Sequence, residues 1–143
     1  MTLTNKTNIQ LETVQPIKIL YDRWMDNRLY SELYKRSVNM LFRPVMSLDE
    51  TDCKDADILS EYNERACYLS FLIGFKEGLY CKEESESEPS RELQEIARNI
   101  LALVMQYPGQ TKEETTKILQ NILLECKNAG EEYGQGVKNE CQE

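Results

Sequence analysis

Residues 58–79 read ILSEYNERACYLSFLIGFKEGL. Ile58, Tyr62, Ala66, Leu69 and Ile73 recur at steps of four and three, the period of one helical face. From Tyr68 a second stripe joins the first: Tyr68, Leu72, Phe75 and Leu79. A helix that is apolar on two faces belongs in the middle of a fold, with neighbours on both sides. Upstream, Ser47-x-x-Glu50 has the form of a capping box, and Asp49, Glu50 and Asp52 suit the positive end of a helix dipole. Nothing breaks the pattern strongly before Lys82, so the spacing predicts a helix over 50–82, about 50 Å long. It is the spine of the fold.

On this spine Ala66, Ser70, Gly74 and Gly78 form a row of small residues four apart. Each internal glycine costs about 1 kcal/mol relative to alanine, so helix propensity does not place them there. Rows at this spacing are the grooves into which a neighbouring helix packs, and small side chains let the two backbones come close. The row therefore predicts a tight helix crossing, either inside the bundle or with a second subunit or a partner's helix. In the second case these four residues are partner-binding.

The rest of the chain reads as helices around the spine. Residues 1–15 are polar and are expected to be loose. Pro16 suits a first helical position, and Ile17, Leu20 and Trp24 make one face. Leu29, Leu33, Val38 and Leu41 make a second, displaced at Asp26-Asn27-Arg28, which implies one kinked helix or two, closed by Pro44. Residues 83–88, EESESE, read as a solvated acidic linker before Pro89 restarts a helix. Leu93, Ile96, Ile100, Leu103 and Tyr107 give a clean face that ends at Pro108-Gly109. Thr111-x-x-Glu114 is a second capping box, followed by Ile118, Ile122 and Cys126. Gly130 suits a helix end, yet Tyr133 and Val137 continue the stripe, so both outcomes stay open. Apart from a short alternation over Asn8–Val14, no strand pattern occurs. The reading is an all-α, single-domain bundle of four or five helices over residues 1–143, built around a long buried central helix.

The chain has 143 residues and a formal net charge of -8. Residues 1–45 hold seven Lys/Arg against four Asp/Glu, while the remainder holds ten against twenty-one. An acidic remainder disfavours nucleic acid and suits a protein partner with a basic surface. Glu83, Glu84, Glu86 and Glu88 are the densest such cluster and are candidate contact residues. Thr2–Thr13 lacks the apolar run of an export signal, and the apolar stretch Cys67–Phe75 is too short to span a bilayer. A cytoplasmic location without membrane contact is expected. Cys53, Cys67 and Cys81 are fourteen residues apart and would lie about 21 Å from one another on a helix. That distance forbids a disulfide or a shared metal between neighbours on the stripe, so they read as small buried hydrophobes.

The absence of histidine removes His-assisted nucleophiles, histidine bases and histidine metal ligands together. No phosphate loop, dinucleotide fingerprint or nucleophile elbow is present. Asp49, Asp52, Asp55 and Asp57 do not meet the spacing of a calcium loop. No enzyme activity, catalytic residue, cofactor or metal is therefore expected. Tyr21, Arg23, Trp24, Arg28, Tyr30, Tyr34, Lys35 and Arg36 interleave aromatics with bases, a pattern that can stack on single strands. Asp22, Asp26 and Glu32 lie among them, which favours a solvated face able to pair with the acidic remainder, and no direct nucleic-acid binding.

From Glu64-Arg65-Ala66 through Gly74-Phe75-Lys76-Glu77-Gly78-Leu79, the spine resembles a helix of small helical proteins from Firmicute phages and mobile elements. The resemblance carries over no catalytic residue. It implies an inhibitor or regulator of host machinery, a class that includes anti-CRISPR proteins. The expectation is thus a non-enzymatic protein-binding regulator or inhibitor that blocks a host nucleic-acid enzyme such as a CRISPR nuclease. A structural or scaffolding homo-oligomer, a homodimer included, assembled through the small-residue row is the alternative, and a carboxylate-dependent helical enzyme is a third.

Overall fold

The computed structural model describes residues 17–45, 50–80 and 88–142, and no strand occurs among them. The first helix, α1, spans 17–28. The chain turns at Leu29 and Tyr30, and Ser31 then caps α2, Glu32–Phe42, by accepting the Tyr34 N–H at 3.1 Å. The segment is therefore two helices. The break falls just after Asp26-Asn27-Arg28, where Ser31 supplies the side-chain acceptor that a new N-terminus needs. A short 3-10 turn, Arg43–Val45, follows.

The spine, α3, runs Glu50–Tyr80, close to the expected bounds. Ser47 and Asp49, residues 1–15, and Glu83, Glu84 and Glu86 lie outside the described residues, as does the side chain of Glu88. Helix α4 spans Glu88–Val104. The turn after it passes through Gly109 at φ 93°, a left-handed conformation that a side chain would strain. Thr111 then accepts the Glu114 N–H at 3.1 Å and starts α5, Lys112–Gln142. Helix α5 runs straight through Gly130 and Gly134, which settles the open question in favour of continuation.

Helix α4 returns along α3. Arg65 pairs with Glu92, and further along the Tyr107 hydroxyl donates to the Asp55 carboxylate, an antiparallel order. Helix α5 therefore runs parallel to α3, and these two long helices form the most extensive contact in the fold. One core joins all the elements: Tyr21, Leu41, Val45, Leu59, Phe71, Ile100 and Ile122 are among its buried members. Tyr21 of α1 meets α3 edge-on, with ring centroids 5.0 Å from Tyr68 and 5.3 Å from Phe71. Over residues 66–75 no position of α3 is exposed, as a central helix requires.

One phase differs from expectation. Ile58 is 42% exposed, while Leu59 beside it is fully buried. The most buried line of α3 passes through Leu59, Asn63, Ala66, Ser70, Gly74 and Gly78. Four of these six are polar or lack a side chain, so hydrophobic periodicity reports this line weakly.

Candidate functional site

The small-residue row lies inside the chain. Ala66 and Ser70 are buried, and the Ser70 hydroxyl donates to the Leu123 carbonyl of α5 at 2.7 Å. A Cβ built on Gly74 would overlap the Lys127 carbonyl oxygen and lie 2.8 Å from its carbon. One on Gly78 would overlap the Glu131 carbonyl in the same way. These three pairings share an offset of 53 positions. The converse holds from α5: a Cβ on Gly130 would overlap the Phe71 carbonyl, and one on Gly134 that of Phe75, both at an offset of 59. The two backbones are thus in direct contact over three turns, and each helix supplies the glycines that admit the other. A partner helix would reach Ala66, Ser70, Gly74 and Gly78 only if α5 left its place.

The sequence pattern alone does not assign Gly130 and Gly134 to this crossing. Their signal was a matching spacing, since Cys126, Gly130 and Gly134 repeat on α5 the step of four that Ser70, Gly74 and Gly78 make on α3. In the same layer Cys67 and Cys126 are both buried free thiols, and Cys67 donates to Asn63 Oδ1 at 3.9 Å. Burial pushes the Cys126 thiol well above its ordinary value of 9.0, and the neighbouring Cys67 adds to the shift. Burial likewise raises the Tyr21 phenol far above 10.0. The folded chain therefore keeps protons that the unfolded chain releases in alkali. Stability from these groups is complete below about pH 9 and is lost as pH rises from there toward the folded values, by about 1.4 kcal/mol per pH unit for each group. Urea midpoints measured at pH 7 and pH 10.5 should show a marked fall at the higher pH.

The aromatic and basic residues of α1 and α2 mostly engage each other. Arg28 is 4% exposed, and its Nη2 bonds Glu125 of α5 at 2.8 Å. Its guanidinium carbon lies 4.9 Å from the Trp24 ring and 3.9 Å from that of Tyr34. A carboxylate and two ring faces make burial of this charge tolerable. Lys18 sits 4.8 Å over the Tyr68 ring and pairs with Asp22 at 3.4 Å. Of the rings in the aromatic–basic pattern, Tyr21, Trp24 and Tyr34 are engaged from within, while Tyr30 is left exposed.

Other apolar side chains are left uncovered. Tyr30 is 80% exposed and Leu33 56%, with Leu29 and Met40 also exposed. Leu33, Arg36 and Met40 follow at i, i+3 and i+7, so they share the outward face of α2. Lys35 and Arg43 are exposed near them.

Two cavities flank Tyr21 and Tyr68. One, of about 510 Å³, lies between α1, α3 and α4 and is lined by Lys18, Glu61, Arg65, Tyr68 and Glu92. The other, of about 500 Å³, lies between α1, α2 and α3. Asp22, Asp26 and Glu64 form its exposed rim, and Tyr21, Asn63 and Cys67 its buried floor. The Tyr21 hydroxyl is buried and has no hydrogen-bond partner among the described residues, an arrangement that costs about 1–3 kcal/mol. Among the described residues no three Cys, Asp or Glu side chains are grouped closely enough to hold a metal ion. No described helix is long and apolar enough to cross a membrane. No protein-family model, curated protein or solved structure matches this chain.

Proposed function

We propose that this chain is a non-enzymatic protein-binding regulator that meets its partner through the outward face of α2 and the turn before it. The reading rests on the uncovered apolar side chains of Leu29, Tyr30, Leu33 and Met40. A contact surface needs an apolar centre, with aromatic residues and arginine enriched there, and this face offers both beside Lys35 and Arg36. The complementary surface is an apolar groove on a protein, bordered by acidic groups. A second, rival reading is a mobile-element inhibitor that presents acidic surface to the basic site of a nucleic-acid enzyme, a CRISPR nuclease for example. That reading is supported by the net charge of -8 and by the resemblance at residues 64–79, and it would act through Glu83, Glu84, Glu86 and Glu88.

A photo-crosslinking amino acid placed at Leu33, with a control at Glu113 on the exposed first turn of α5, separates these readings. The expected product is a heterologous protein joined from position 33 and not from 113. Tyr30→Glu with Met40→Glu should abolish it while the helical circular dichroism is kept. Glutamine at the four linker glutamates should leave it in place. Identical products from both positions would contradict the proposal, as would indifference to the Tyr30 and Met40 changes. A second copy of this chain joined from position 33 would favour the homo-oligomer instead.

A further inference from the structure

We propose that Cys67 of α3 and Cys126 of α5 form an intrachain disulfide under oxidising conditions, and that this bond locks the crossing of the two long helices. The register of the crossing sets the two residues opposite each other. In a parallel pair of helices, a step back on one and an equal step forward on the other stay at the same height. A Cβ on Gly74 would meet Lys127, and three back and three forward from these are Phe71 and Gly130, which meet in the same way. Gly78 with Glu131 and Phe75 with Gly134 repeat this relation one turn higher. One turn lower, Ser70 bonds the Leu123 carbonyl at 2.7 Å, and the same step from that pair leads to Cys67 and Cys126. The cysteines share the offset of 59 positions seen at Gly130 and Gly134, and the Ser70 bond shows that the crossing is closed at their height.

Backbones in contact bring facing Cα atoms within reach of the about 4.4–6.8 Å that a disulfide spans. Both side chains are fully buried, and both thiols are free. Cys67 donates to Asn63 Oδ1 at 3.9 Å, a weak bond that is readily given up. Burial also keeps the Cys126 thiol protonated and out of reach of reagents in the closed fold, so the bond forms as the chain closes. One cysteine thiolate of the open chain attacks a small-molecule disulfide such as oxidised glutathione, whose S–S bond breaks and releases a glutathione thiolate. The second cysteine thiolate then attacks the protein sulfur of this mixed disulfide and expels the second glutathione. Two protein thiols are oxidised, one oxidised glutathione is reduced to two thiols, and these take up the two cysteine protons. In reducing surroundings the pair stays as two thiols and nothing covalent holds α5 to α3. The inference is independent of what the face of α2 binds.

Refolding of the full-length chain from urea in a buffer of oxidised and reduced glutathione, followed by alkylation and tryptic digestion, tests the pair. Cleavage after Arg65, Lys76, Lys117 and Lys127 puts Cys67 in residues 66–76 and Cys126 in residues 118–127, apart from the other cysteines. These two peptides should appear joined, two hydrogens lighter than their combined mass, as the major disulfide of either cysteine. In a sample kept in urea, Cys67 should instead join mainly Cys53 or Cys81, since loops of 14 residues close about ninefold more readily than one of 59. The oxidised chain should melt about 10 °C above the reduced one, and dithiothreitol should remove the difference. In Cys126→Ala the gain in melting temperature on oxidation should be lost. Absence of the joined peptides from the refolded chain would overturn the assignment. So would the same pattern of pairing in refolded chain and in urea, or an oxidised chain that melts at or below the reduced one.

Discussion

Gly74→Leu is expected to leave the chain largely unfolded at concentrations of urea that the parent tolerates. Even one carbon at this position meets backbone, since a Cβ there overlaps the Lys127 carbonyl and sits 3.0 Å from the Glu131 nitrogen. A backbone group has no rotamer to change, so the two helices must separate along the whole crossing and lose the dispersion contacts of three turns. Overpacking of this kind costs about 1–3 kcal/mol even where side chains can adjust, and the cost here lies at or beyond the upper end. Gly130→Ala should behave similarly, because its Cβ would fall 2.9 Å from the Phe75 nitrogen. Gly136 provides the control on the same helix. Nothing lies within 4 Å of a Cβ at that position, so Gly136→Ala should gain up to about 1 kcal/mol from helix propensity alone. Chemical denaturation of Gly130→Ala and Gly136→Ala reads out opposite signs for identical chemistry on one helix.

The second large effect concerns the ion pair between α1 and α5. The side chain of Arg28 is 1% exposed and that of Glu125 is 32% exposed. This asymmetry decides which partner is worse to lose. Glu125→Ala leaves a guanidinium sealed against two rings with no carboxylate, the situation that costs about 3–5 kcal/mol when a buried pair is broken. Arg28→Met keeps an apolar chain of similar length against Trp24 and Tyr34 and leaves a glutamate that can turn toward water. Its cost should be about 1–2 kcal/mol, mainly lost packing and one charged hydrogen bond. The double variant should lie near Arg28→Met alone, so the two single losses are far from additive. Equal midpoints for the two single variants would mean that the guanidinium reaches water by another route.

The helices themselves were legible because their ends carry chemistry that sequence displays. Thr111 and Glu114 mark the start of α5, Pro108-Gly109 marks the turn before it, and the four-residue row on α3 announced a close crossing. What stayed hidden was what the row met. Gly130 suits a helix end, while Tyr133 and Val137 continue the stripe, so the sequence leaves both outcomes open there. Its role became visible only when α4 brought α5 back parallel to α3 and set it against Phe71. The phase of α3 was misread at Ile58 and Leu59 for a related reason: its inner line is closed by backbone proximity, which leaves no apolar side chain to count. Arg28 reads as part of a solvated face able to pair with the acidic remainder, but its burial depends on one particular glutamate, 97 positions away. The cavity floor was equally out of reach, since Tyr21, Asn63 and Cys67 converge from two helices that only the tertiary fold joins.

The parallel α3–α5 crossing, closed within one chain, underlies both the stability argument and the assignment of the partner surface to α2. Nuclear Overhauser contacts measured on uniformly labelled protein, and again on an equal mixture of labelled and unlabelled protein with isotope filtering, test it most directly. The fold predicts cross-peaks from the Gly74 α-protons to Lys127 and Glu131, and from those of Gly130 to Phe71 and Phe75. These should be present in the uniform sample and absent from the filtered one. Their absence from the uniform sample, or their appearance between differently labelled chains, would contradict the account.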